Sequence, residues 1–171
     1  MTFWHKNKIL RTFYMLLNKI LNLAVITSMY FSIGFARAAD IKNIELEIWR
    51  SPTCGCCEKW AQYMASHKFN IKTNNVTHGV LAKIKKEAGL APQYASCHTA
   101  KINGYIIEGH VPVQDVKRLL LERPDAVGLS VPGMPIGSPG MEHGDEKEPY
   151  EVLLIKKDGT SETFSKKPGK G

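Results

Sequence analysis

From Ile44 to Trp49 apolar and polar residues alternate, Ile-Glu-Leu-Glu-Ile-Trp, the period of a half-buried strand. Ser51-Pro52-Thr53 breaks it. From Cys56 to about His67 the spacing turns helical, with Trp60, Ala61, Tyr63 and Met64 as the apolar positions. Phe69, Ile71, Thr73 and Val76 mark a second strand. Val80 to Ala88 predicts a helix with Val80, Leu81, Ile84 and Ala88 inside and Lys83, Lys85 and Lys86 outside, stopped by Gly89. Leu90 to Ser96 reads as a connector with room for one helical turn. Thr99–Ile102 and Tyr105–Glu108 flank Asn103-Gly104, the strongest short signal for a tight hairpin. Pro112 to Glu122 predicts a third helix with an inner stripe of Val113, Val116, Leu119 and Leu120.

The resulting order, β-α-β-α-β-β-α, predicts a thioredoxin-like three-layer α/β fold. Two features follow it. Val131 to Met141 is rich in Gly and Pro, which argues against helix or inner strand. Tyr150–Ile155 and Thr160–Phe164 flank Asp158-Gly159, a second hairpin that extends the fold at its C-terminal end.

Charge changes the picture at the N-terminus. Residues 1–38 carry Lys6, Lys8, Arg11, Lys19 and Arg37 and no acid, whereas the net charge of the whole chain is +7. Ile20 to Phe35 is uncharged and mostly apolar, and Ala36-Arg37-Ala38 puts small residues where a signal peptidase reads. Residues 1–38 are therefore expected to be a signal peptide cut after Ala38. The alternative is an uncleaved anchor, for which the apolar run is short against a span of about 20 residues. The expected organisation is then a domain over 39–165 and a flexible tail over 166–171, with no stable membrane span after processing. The body is nearly neutral and offers no dense basic face, which excludes nucleic acid as a partner.

The chemistry is concentrated in four cysteines, Cys54, Cys56, Cys57 and Cys97. Cys54 and Cys57 have the spacing of a redox dithiol at a helix start, where unpaired N–H groups favour thiolate. Cys56 is superfluous for that purpose, and three thiolates crowded together repel one another unless a cation or oxidation relieves them. Three readings stand side by side. Two structural disulfides fit an oxidising compartment: Cys54–Cys57 with Cys56–Cys97, or Cys54–Cys97 with Cys56–Cys57, although neighbouring cysteines bridge poorly. Zinc fits less easily, because its structural sites draw on separated ligand pairs. Bridging thiolates around several Cu(I) ions suit soft sulfur donors outside the cytoplasm.

Topology adds nitrogen donors. The hairpin turn lies at one end, so His98 at its entry and His110 at its exit share the other end with the cysteines; each could instead be a cap or a surface residue. His143, in the Gly/Pro loop, reaches the site only if that loop folds over it. His67 and His78 read as solvent-facing. Met134 and Met141 each follow a Pro-Gly pair and read equally as soft ligands or as packing, while Met64 reads as core.

The motifs Ser51-Pro-Thr-Cys-Gly-Cys-Cys57, Ser96-Cys-His-Thr99, Glu108-Gly-His-Val-Pro112, Glu122-Arg-Pro-Asp-Ala-Val-Gly-Leu129 and Val131 to Glu142 resemble the CopG-type family, from about Ile44 to Phe164. The resemblance implies a periplasmic, thioredoxin-like protein of copper resistance. It implies a multinuclear Cu(I) cluster held by Cys54, Cys56, Cys57 and Cys97, with His98 and His110 as the nitrogens. Its partners would be copper ions and other periplasmic copper-handling proteins. A thioredoxin-like enzyme would carry a proline before the third strand, where this chain has Ser96-Cys97-His98. The competing function is a thiol-disulfide oxidoreductase with Cys54 as nucleophile and Cys57 as resolving thiol.

Overall fold

The computed structural model describes residues 44–170, together with Met15, Asn18 and Lys19, which are helical. The expected signal peptide therefore lies almost wholly outside the described residues. Among those described, no helix is long and apolar enough to cross a membrane.

The body is a mixed α/β structure with seven strands and three α-helices. In chain order these are β1 (Glu45–Arg50), α1 (Gly55–Ser66), β2 (Asn70–Asn75), α2 (His78–Glu87), β3 (His98–Ile102), β4 (Tyr105–Glu108), α3 (Val113–Glu122), β5 (Ala126–Ser130), β6 (Tyr150–Lys156) and β7 (Ser161–Lys167). A single 3-10 turn, Pro92–Tyr94, occupies the connector before β3. One sheet runs β2-β1-β3-β4-β5-β6-β7. β1 pairs in parallel with β2 and antiparallel with β3; β3 and β4 form the expected hairpin. Asn103 and Gly104 both have positive φ, 46° and 87°, as a two-residue turn of this hand requires.

β5 has no counterpart among the sequence-predicted elements. It lies parallel to β4 and carries the β6–β7 hairpin onto the same sheet, so the C-terminal extension continues the sheet. Gly128 is the reason the short Ala-Val-Gly-Leu-Ser segment fits there: a Cβ at that position would collide with the Ile106 carbonyl of β4. β7 also runs to Lys167, two residues into the expected tail. There Lys167 pairs with the buried Asp115 of α3 at 2.7 Å.

Strand alternation divides the core. On one face, Leu46 and Ile48 of β1, Ala100 and Ile102 of β3 and Ile107 of β4 pack against Trp60 and Met64 of α1 and Val113, Val116, Leu119 and Leu120 of α3. Fully burying each large apolar side chain contributes about 1.5–3 kcal/mol. Leu90, Tyr94 and Ile155 form a smaller cluster, with Val127 and Leu153 against it. These strand residues alternate with Ala126, Val152 and Leu154 of the main core, so the second cluster lies on the opposite face.

α2 departs from its expected orientation. Val80 is 46% exposed, whereas Lys85, placed outside by the sequence pattern, has a side chain only 13% exposed. Leu81 is buried, and residues four apart share a helical face, so the stripe that buries Leu81 also turns Lys85 inward. The helix ends as expected at Gly89, with φ 74° and the Leu90 N–H bonded to the Lys85 carbonyl.

Candidate metal centre

Three chain segments meet at one end of the sheet because of the strand pairing. β1 ends at Arg50 beside His98, the first residue of β3, and Thr99 lies opposite Glu108, the last residue of β4. The chain leaving β1 carries Cys54, Cys56 and Cys57; the chain entering β3 carries Cys97; the chain leaving β4 carries His110.

Cys54 occupies the N-cap of α1 with extended backbone, and Cys57 lies in its first turn, fully buried. The two form a disulfide, while Cys56 and Cys97 are free thiols. One sulfur from each of Cys54, Cys56, Cys57 and Cys97 lies within 4.8 Å of the others. Cys54 Sγ is 3.5 Å from Cys56 Sγ. A second group, with ligand atoms equally close, joins Cys97 to His98 and His110. Cys97 Sγ lies 3.3 Å from His98 Nδ1 and 3.1 Å from His110 Nε2, so it belongs to both groups. All six site residues expected from sequence are therefore brought together.

The surroundings prepare both imidazoles. His98 points to the α1 face, its ring 4.5 Å from that of Trp60 and 5.1 Å, edge-on, from that of His110. Trp60 is held by its own Nε1–H, which donates to the Val111 carbonyl at 3.0 Å. Burial holds the pKa of His98 well below the ordinary histidine value, with the charges of His110, Lys85 and Arg50 acting in the same direction. Burial also lowers that of His110, so both rings are neutral near neutral pH. His110 Nδ1 donates to the Pro139 carbonyl at 2.8 Å. A carbonyl only accepts, so the proton sits on Nδ1 and the Nε2 lone pair faces Cys97.

Burial, followed by the neighbouring Cys56, pushes the Cys97 thiol up to about 12. Cys97 therefore holds its proton until a cation displaces it. His98 Nε2 is buried without a hydrogen-bond partner. Soft sulfurs and neutral imidazoles make a donor set that fits a soft cation such as copper better than a hard one.

The Gly/Pro segment lies over this end of the fold, and its seat is backbone-deep. Gly140 has φ 86°, and a Cβ there would stand 2.8 Å from Trp60 N and 2.9 Å from the Cys56 carbonyl. Glu142 accepts from the Gly140 N–H at 2.9 and 3.0 Å. The loop thus presses on the first turn of α1 and presents the Pro139 carbonyl to His110. His143 lies outside both groups: it is exposed and approaches Glu146 at 3.6 Å. Met134 is 51% exposed, and Met64 is core. His67 packs edge-on against Tyr63. His78 is exposed and lines a groove of about 350 Å3 that opens onto Cys54 and Cys97.

Several contributors escape a reading of the sequence. Arg50 reaches the Cys54 carbonyl at 3.4 Å and pairs with Glu58 on α1. Glu108 and Lys85 form a buried ion pair behind Cys97. The Pro139 contribution is a backbone carbonyl, invisible to any motif. A glutamate ending a strand of Ile106-Ile107 is the one hint that was present.

Residues 94–141, which include Cys97, His98 and His110, match the family described as "Protein of unknown function, DUF411". A solved structure of a copper resistance protein CopG, in its Form 1, is 35% identical with a TM-score of 0.70; the match covers 75% of this chain and 100% of that one. The chain belongs to the CopG family of copper resistance proteins. The Form 2 structure of CopG is 36% identical with a TM-score of 0.69, over 74% of this chain and again 100% of the relative. A comparison with curated protein sequences finds no match. Family membership and the converged cysteines together fit copper binding.

Proposed function

We propose that this protein is a periplasmic copper-binding protein of copper resistance. Its body holds several Cu(I) ions between the thiolates of Cys54, Cys56, Cys57 and Cys97, with His98 and His110 as nitrogen ligands. The observation that carries this reading is the convergence of four sulfurs and two neutral, buried imidazoles on one end of the sheet. Three of the four sulfurs come from one tetrapeptide, a crowding that suits ions sharing bridging thiolates. The order β2-β1-β3-β4, with its one parallel and two antiparallel pairings, supports a thioredoxin-like body. The basic, then apolar, N-terminal sequence ending at Ala38 supports export.

The chain's own residues supply the chemistry. Reducing the Cys54–Cys57 disulfide with two electrons and two protons yields the two further thiols that the site needs. Cys97 gives up its proton on binding, and His110 offers Nε2 because Pro139 retains the Nδ1 proton. Anaerobic Cu(I) titration of reduced residues 39–171, followed by metal analysis, tests the reading. More than one copper per chain is expected, with fewer in Cys56→Ser. Full loading of that variant refutes the shared cluster.

One observation favours a second reading. Cys54 and Cys57 are closed as a disulfide at a helix start, as in a thiol-disulfide oxidoreductase. Its test is disulfide exchange in the Cys56→Ser protein: a pure Cys54/Cys57 enzyme survives that change, whereas a cluster loses capacity.

A further inference from the structure

Behind Cys97, on the sheet face opposite Trp60, lies a polar network that the copper ligands do not use. Glu108 is fully buried. Its Oε1 accepts from Lys85 Nζ and from the Ser96 backbone N–H, the latter at 2.6 Å. Its Oε2 accepts from the Thr99 hydroxyl at 2.7 Å, and Lys85 Nζ also donates to that hydroxyl, at 2.8 Å. The carboxylate thus ties α2, β3 and β4 to the residue just before Cys97.

Ser96 is gripped from its other sides as well. Its hydroxyl donates to the Gly133 carbonyl of the Gly/Pro loop. Gly109 makes the space: a Cβ there would stand 2.6 Å from both Ser96 Cβ and Ser96 Oγ. Cys97 itself precedes the strand ladder, whose first pair at this edge is Arg50 with His98. Its position therefore depends on how Ser96 is held. A buried ion pair is a poor device for stability, because apolar residues of the same volume cost no desolvation. What this pair does that apolar residues cannot is accept the Ser96 N–H.

The geometry points to the Lys85–Glu108 pair as the positioning device of the site: Glu108, neutralised by Lys85, holds the Ser96 backbone and so sets the Cys97 sulfur against Cys54, Cys56 and Cys57. Its relevance to copper rests on the function proposed above; the placement of Cys97 can be tested without copper.

The test compares two double variants. Lys85→Met/Glu108→Leu keeps volume and removes the acceptor. Lys85→Met/Glu108→Gln removes the charges and keeps an oxygen for the Ser96 N–H. In the reduced, copper-free protein, iodoacetamide labelling is followed cysteine by cysteine by mass spectrometry. The Leu variant should label Cys97 several-fold faster than wild type with the Cys56 rate unchanged, and its Cu(I) capacity should fall to that of Cys97→Ser. The Gln variant should restore both. Unchanged Cys97 labelling in the Leu variant overturns the proposal, and so does equal acceleration at Cys56, which marks general loosening. Should the Leu variant fail to fold, amide exchange in wild type decides: Ser96 N–H exchanging as fast as exposed loop amides overturns it, and slow exchange supports it. If wild type takes up no Cu(I), the copper reading fails while the labelling result still stands.

Discussion

His110 donates its Nδ1 proton to the carbonyl oxygen of Pro139, 29 residues further along the chain, at 2.8 Å. Through that one bond a loop without regular structure chooses the tautomer of a site imidazole. The loop holds its place because Gly140, at φ 86°, packs against the backbone of Cys56 and Trp60.

Gly140→Ala should therefore unseat the loop. A left-handed non-glycine residue costs on the order of 1–3 kcal/mol, and the added Cβ also meets the α1 backbone. Urea unfolding of the reduced protein should show a loss of at least that size. Copper retention should fall with it. Wild-type stability in this variant would mean that the loop is not seated on α1.

His98→Ala and His110→Ala should each weaken Cu(I) retention, measured by competition with a Cu(I) chelator. Burial holds both imidazoles below their ordinary value. The share of acid copper loss that depends on these imidazoles, wild type minus the His→Ala variants, should accordingly set in below the usual histidine range of about 6.5. His143→Ala should leave retention unchanged, since His143 is exposed and outside the cluster. A larger effect at His143 than at His110 would reverse the assignment of the nitrogens.

The same shifts set the stability of the copper-free protein. With His98 and His110 depressed in the native state, the unfolded chain binds more protons as pH falls through the ordinary value of 6.5. Stability is therefore present above that pH and is lost below it. Glu108 has the opposite sign: burial raises its carboxyl above the ordinary 4.5, so it favours the folded state as pH falls toward the carboxylate range. The urea midpoint should be lower at about pH 5.5 than at about pH 7.5. The decline should be shallower in His110→Gln, which removes one of the two depressed imidazoles. A profile that rises on acidification would contradict the histidine assignment.

The N-terminal address makes a separate prediction. Intact mass of protein recovered from the periplasm should begin at Ala39, because Ala36 and Ala38 stand at the positions read by the peptidase. Full-length chain in the membrane fraction would favour the anchor instead.

Much of this architecture is written locally. Asn103-Gly104 needs only its own backbone preferences to make a turn, and the Val113, Val116, Leu119 and Leu120 stripe needs only helical periodicity to find the core. The hairpin in turn dictated that Cys97, His98 and His110 return to the end of the sheet that carries Cys54, so the site was legible once the strand order was.

What pairs across the chain was decided only in three dimensions. β5, Ala-Val-Gly-Leu-Ser, shows no clear alternation, and it exists because β4 offers an edge that only Gly128 can approach. Lys85 reads as a surface residue, and only the fold supplies the buried partner, Glu108, 23 positions away, that lets it face inward with Leu81. Four cysteines at fixed spacings left several bridges open, and the closing of Cys54 onto Cys57 was a matter of where the helix start holds their sulfurs. Periodicity and turn chemistry report on residues within a few positions of one another. Ion pairs, tautomers and strand neighbours depend on groups that only folding brings together.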